Sequence, residues 1–116
     1  MSLQNPEQRY ELLVEQAILN EEVWALESAA GLVHLRLQDG KLALPLWPSQ
    51  ETAALESPDA SEQPLRIGLE ALFESVLPKA DKARAMVAAF PLKGASRVLE
   101  ASEFLTRLRQ EWEQDD

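Results

Sequence analysis

The run Gln38-Asp39-Gly40-Lys41-Leu42-Ala43-Leu44-Pro45-Leu46-Trp47-Pro48-Ser49-Gln50-Glu51-Thr52-Ala53 encodes a turn, a strand, a corner and a helix start in unbroken succession. Asp39-Gly40 is a hairpin signal, because both positions tolerate positive φ. Leu42, Leu44 and Leu46 alternate on the returning strand, so they face the core while Ala43, Pro45 and Trp47 face the other way. Pro45 has no N–H to give a ladder, which makes this strand an edge or places a bulge near residue 45. Pro48-Ser49 then turns the chain, with Ser49 as N-cap of a short helix through Glu56 and Glu51 suited to its dipole.

Upstream of this run, Asn5 caps a first helix, Pro6 suits its first position, and Gln8 completes a capping-box spacing. Tyr10, Leu13, Val14, Ala17 and Ile18 recur at helical spacing as its buried stripe. Residues 22–27 carry Val23, Trp24, Ala25 and Leu26, apolar on both faces, which predicts a strand covered on both sides. Residues 28–31 form a turn. Residues 32–37 alternate, with Val33, Leu35 and Leu37 inward and His34 and Arg36 outward.

Downstream, residues 57–64 form a polar loop without periodicity, expected to be the most mobile internal segment. A short strand at 65–67 ends at Gly68. Leu69, Leu72, Phe73, Val76 and Leu77 mark an amphipathic helix that Pro78 stops, followed by a charged turn at 79–83. Residues 84–90 are the longest near-continuous apolar run and read as the most central strand. A turn at 91–96, a brief strand at 97–100 and a closing helix from Ser102, burying Phe104, Leu105, Leu108 and Trp112, complete the chain. The expected fold is α+β, in the order α-β-β-β-α-β-α-β-β-α. Its helices pack on a mainly antiparallel sheet of about five or six strands. Residues 1–116 make a single domain, fraying at 1–4 and 113–116.

Composition narrows the function classes. The 116 residues suffice for one core, and 20 acidic against 11 basic residues leave a net charge of −9. That charge opposes a phosphate backbone or an anionic membrane surface, so neither nucleic acid nor membrane is an expected partner. The absence of cysteine excludes disulfides, thiol catalysis and thiolate metal sites. No signal segment is visible, which gives a cytoplasmic address by default.

The pieces Glu22-Val23-Trp24-Ala25-Leu26, Asp39-Gly40, Leu44-Pro45-Leu46-Trp47-Pro48, Ala53, Leu69-Glu70-Ala71-Leu72 and Val87-Ala88-Ala89-Phe90-Pro91 together resemble the bacterial domain of unknown function 2750 family. The resemblance runs from about Tyr10 to Leu108, and Ala101-Ser102 stands where the family pattern has Ser-Pro. It implies a compact single-domain bacterial protein. The family carries no assigned activity, cofactor or catalytic residue, so the resemblance transfers no site.

Candidate chemistry is sparse. His34 is the sole histidine; without a nucleophile, a second histidine or a cysteine it reads as a half-exposed strand position. Asp39 is explained by turn chemistry. Asp59 and Glu62 lack a calcium-loop pattern and read as a solvated loop. Ser49 reads as a plain N-cap, since phosphate-loop glycines are missing and Glu51 repels an anion. Trp47 either caps the core under the short helix or stands partly exposed at an interface or pocket mouth. With no coherent catalytic set, no cofactor is implied. The leading expectation is a non-catalytic interaction module whose edge strand pairs with an unknown protein partner or a second copy, on a surface of Pro45, Trp47, Ser49 and His34. The alternative is a small-molecule-binding protein or enzyme with a pocket near Trp47, His34 and the 57–64 loop.

Overall fold

A computed structural model describes residues 5–57, 61–92 and 95–114. Helix α1 (Pro6–Asn20) starts as its sequence dictates: the Asn5 side chain accepts from the Glu7 amide at 2.8 Å and Pro6 occupies the first turn. The expected stripe, Tyr10 through Ile18, is buried, and Glu21 ends the helix in the left-handed region.

Strand β1 (Glu22–Ser28) lies between β2 (Gly31–Leu32) and β5 (Gln63–Gly68) in a three-stranded antiparallel sheet. A second, four-stranded sheet has the order β3 (Leu35–Arg36), β4 (Leu42–Leu46), β6 (Met86–Leu92), β7 (Ala95–Glu100). Between β4 and β5 lies α2 (Gln50–Leu55). A continuous helical stretch between β5 and β6 comprises α3 (Leu69–Ala71), a π-helical segment (Leu72–Val76) and α4 (Leu77–Lys82); α5 (Ala101–Gln114) closes the chain. The core gathers α1, the inward residues of both sheets, and Leu72, Leu77, Phe104 and Leu108 from the later helices. The α+β class and largely antiparallel pairing are as expected, with one exception: β4 and β6 run parallel, Leu44 beside Val87 and Leu46 beside Ala89. The long crossover through α2, β5 and the following helices returns the chain in the same direction.

Several local expectations are corrected. Residues 32–37 are not one strand. Leu32 pairs with Glu27 in the first sheet and Leu35 with Ala43 in the second, so the chain changes sheets at Val33-His34. Alternation continues across the break, which hides it from the sequence, and Leu35 emerges exposed rather than inward. On β4, Leu42 is exposed, whereas Ala43, Pro45 and Trp47 are buried as fully as Leu44 and Leu46. Both faces of β4 are covered beyond residue 42.

Pro45 does mark an unpaired margin. Pairing with β3 ends at Ala43, and amides two apart in a strand point the same way, so Pro45 nitrogen shares the side on which Trp47 N–H meets Trp24. The missing donor falls in the gap between the end of β3 and this crossing. Pro64 is tolerated for a related reason, because β5 is an edge strand.

Pro78 does not stop its helix. The π-helical segment closes with Leu77 N–H on Leu72 oxygen, and Pro78 falls in the first turn of α4, where its missing donor is harmless. Residues 79–82 are therefore helical. Strand β6 begins at Met86 because Arg84 turns the chain at φ 60. It extends through Pro91 and Leu92 over an irregularity in its pairing with β7. Trp112 is 39% exposed, beyond the buried stripe of α5. Helix α5 reaches Gln114, while residues 58–60 of the expected mobile loop, Gly94, and the ends at 1–4 and 115–116 lie outside the described residues.

Candidate functional site

The two sheets meet at one backbone crossing. Trp24 N–H donates to Trp47 oxygen and Trp47 N–H to Trp24 oxygen, each at 2.8 Å. Trp24 is held in place by its indole N–H on Glu22 Oε2 at 2.9 Å, while Arg66 donates to the other oxygen of that carboxylate. Arg66, and secondarily the indole, hold Glu22 below the usual carboxylate range.

Trp47 is 2% exposed, and its indole Nε1–H donates to Pro91 oxygen at 2.9 Å. Pro91 in turn follows Phe90, a bulky residue at φ 50, where an L side chain is strained. Arg9 steadies that corner from α1. It is 1% exposed and donates Nε–H to Phe90 oxygen at 2.9 Å and Nη2–H to Ala95 oxygen at 2.8 Å. A buried guanidinium, an unusual backbone residue and a buried indole thus fix one rigid corner.

That corner forms a wall of a cleft of about 320 Å³, at the small end of the range for ligand sites. Leu26, Val33, Leu35, Pro45, Trp47 and Pro91 supply apolar surface. His34, Glu56, Glu62 and Ser96 supply polar groups. Of the candidate residues read from the sequence, the structure brings His34, Pro45 and Trp47 to this cleft. Ser49 stays apart. Its hydroxyl accepts from the Thr52 amide at 3.2 Å, and Thr52 Oγ1 accepts from the Ser49 amide at 3.3 Å, completing the cap of α2.

His34 is exposed at the break between β2 and β3, with Nδ1 at 3.0 Å from Leu32 oxygen. A carbonyl has only lone pairs to offer, so Nδ1 carries the proton and the neutral ring keeps Nε2 as an acceptor. Glu62 departs from its expected solvated state: Oε1 is shut off from solvent, and no donor among the described residues reaches it. Leaving such an oxygen unmatched costs about 1–3 kcal/mol, and more when the group is charged. The pairing of Gln63 with Glu27 pulls Glu62 inward, a contact across the sheet that no local motif announces. Asp59 lies outside the described residues.

A second concavity lies between α1 and α5. Arg107 donates to Glu11 at 2.7 and 2.9 Å and to Glu111 at 3.1 Å, so most of the charge lining this groove of about 380 Å³ is paired within it. Among the described residues no cluster of three or more histidine, aspartate or glutamate side chains converges on a point, and no helix is long and apolar enough to cross a membrane.

The chain belongs to the family described as Protein of unknown function (DUF2750), whose model matches residues 10–108. No curated protein matches it.

Proposed function

We propose that this member of the DUF2750 family is a small-molecule-binding protein whose ligand sits in the cleft between His34, Trp47 and Glu62. The observation that carries this reading is the convergence, on one rigid apolar corner, of a buried indole, an exposed imidazole with an acceptor nitrogen and a carboxylate oxygen that no donor among the described residues reaches. The cleft supports binding more than turnover. Among the described residues no nucleophile is hydrogen-bonded to His34, whose hydrogen bond runs from Nδ1 to the Leu32 carbonyl. Pairing through the edge at Trp47 has less support. Both backbone groups of Trp47 meet Trp24, and its side chain is buried.

The test is a ligand-observed NMR screen of a broad metabolite panel against the wild-type chain and against Leu35→Trp. Leu35 is an exposed cleft residue, so the larger ring fills the cleft without entering the core. Binders are expected, and Leu35→Trp abolishes their binding. If every binder is indifferent to that substitution, the site is elsewhere; if the panel gives no binder, the reading fails.

A further inference from the structure

We infer that the cleft selects an organic cation, an amine or guanidinium carried on a short apolar body, over neutral and anionic compounds of the same shape. The inference rests on the cleft being a ligand site and adds the sign of the ligand. Three observations bear on it. First, Glu62 lines the cleft, and no donor among the described residues reaches its buried Oε1, so its charge is under-compensated beside the cleft. Second, the hydrogen bond between His34 Nδ1 and Leu32 oxygen engages that nitrogen and leaves Nε2 as the ring nitrogen open to a ligand. Third, Glu56 adds a second carboxylate to the lining, and none of the described lining residues is lysine or arginine. The cleft therefore presents acceptors and negative charge. A ligand that carries positive charge complements the two carboxylates, whereas an anion meets repulsion from both. The largely buried Trp47 and Pro45 close the apolar back of the cleft, which suits the body of such a ligand. The net charge of −9 adds a field of the same sign over the whole molecule.

Three matched probes test the inference: phenethylamine, phenethyl alcohol and 3-phenylpropanoate, titrated into ¹⁵N-labelled protein at low ionic strength. The amine is expected to shift the amides of residues 33–35 and the Trp47 indole N–H, with the weakest response from the carboxylate. Glu62→Gln keeps the shape, and its unchanged spectrum elsewhere reports an intact fold. It is expected to weaken the amine about tenfold or more while leaving the alcohol within about twofold, as removal of a charged partner should. Glu56→Gln is expected to weaken the amine in the same sense by a smaller factor. If the alcohol or the carboxylate binds at these residues as tightly as the amine, or if Glu62→Gln leaves amine binding unchanged, the charge assignment is overturned while the cleft remains a ligand site. If none of the three probes nor any compound of the metabolite panel shifts these resonances, both the cleft reading and the charge assignment fall.

Discussion

Trp47 links backbone geometry to the cleft wall. Its amide and carbonyl join the two sheets, and its indole N–H satisfies Pro91 oxygen. Trp47→Phe keeps most of the ring and removes only that donor, leaving a buried carbonyl unmatched. The expected loss is about 1–3 kcal/mol, read as a lower urea midpoint at constant slope. Trp47→Ala also empties the ring volume, and about 3–5 kcal/mol is expected. A loss from Trp47→Phe below about 0.5 kcal/mol would show that Pro91 oxygen does not depend on the indole. His34→Ala is the cleaner functional probe. The side chain is exposed, so stability should stay within about 0.5 kcal/mol while any cleft ligand weakens. At this scale the sequence is legible wherever the partner is local. Asn5, Asp39 and Ser49 bond within three residues, and each was readable from its neighbours. Arg9 was not, because its carbonyl partners lie 81 and 86 residues away, and it sits at an ordinary surface spacing beside the buried stripe of α1. Glu62 is hidden as well, because the pairing of Gln63 with Glu27 beside it spans the sheet.

Among the elements, those set by periodicity matched expectation and those set by a tertiary change of partner did not. Helix α1, strand β1, α2 and the core residues of α5 follow from spacing and caps. The switch of sheets at Val33-His34 leaves no mark, since both sheets read the same alternation. The continuation through Pro78 also eluded the sequence, because a proline signals a helix end only while the helix keeps its α spacing. The π-helical segment resets the register, so Pro78 enters α4 as a first-turn residue. Pro78→Ala measures this. In a helix interior, exchanging proline for alanine gains about 3 kcal/mol. In a first turn there is no lost hydrogen bond to recover, and the looser unfolded chain slightly favours proline. The expected change is therefore below about 1 kcal/mol in either direction, and a gain near 3 kcal/mol would show that Pro78 is a tolerated break.

Across the whole molecule, the N- and C-terminal helices are tied by charge over the core. Arg107 of α5 donates to Glu11 of α1 and stands 5.5 Å from the Tyr10 ring centroid, with Arg97 at 4.3 Å. The Arg107 guanidinium holds the Glu11 carboxyl below the usual range, with partial burial opposing it. A carboxyl with a lower pKa folded than unfolded stabilises the fold above its ordinary value of 4.5, and that contribution fades as the pH falls through the lowered value. Glu22 at the sheet crossing acts with the same sign. Stability is thus expected to fall on acidification below about pH 5. Because Glu11 is largely solvent-exposed, its share is that of a surface pair, about 0.2–1 kcal/mol near neutrality. Glu11→Gln should therefore lower the urea midpoint at pH 7 and approach the wild-type midpoint in acid below the lowered Glu11 pKa, where the wild-type carboxyl is protonated as well. An equal deficit at both pH values would assign the effect to packing of the side chain, and the closure of α1 against α5 would then rest on Tyr10, Phe104 and Leu108 without help from the ion pair.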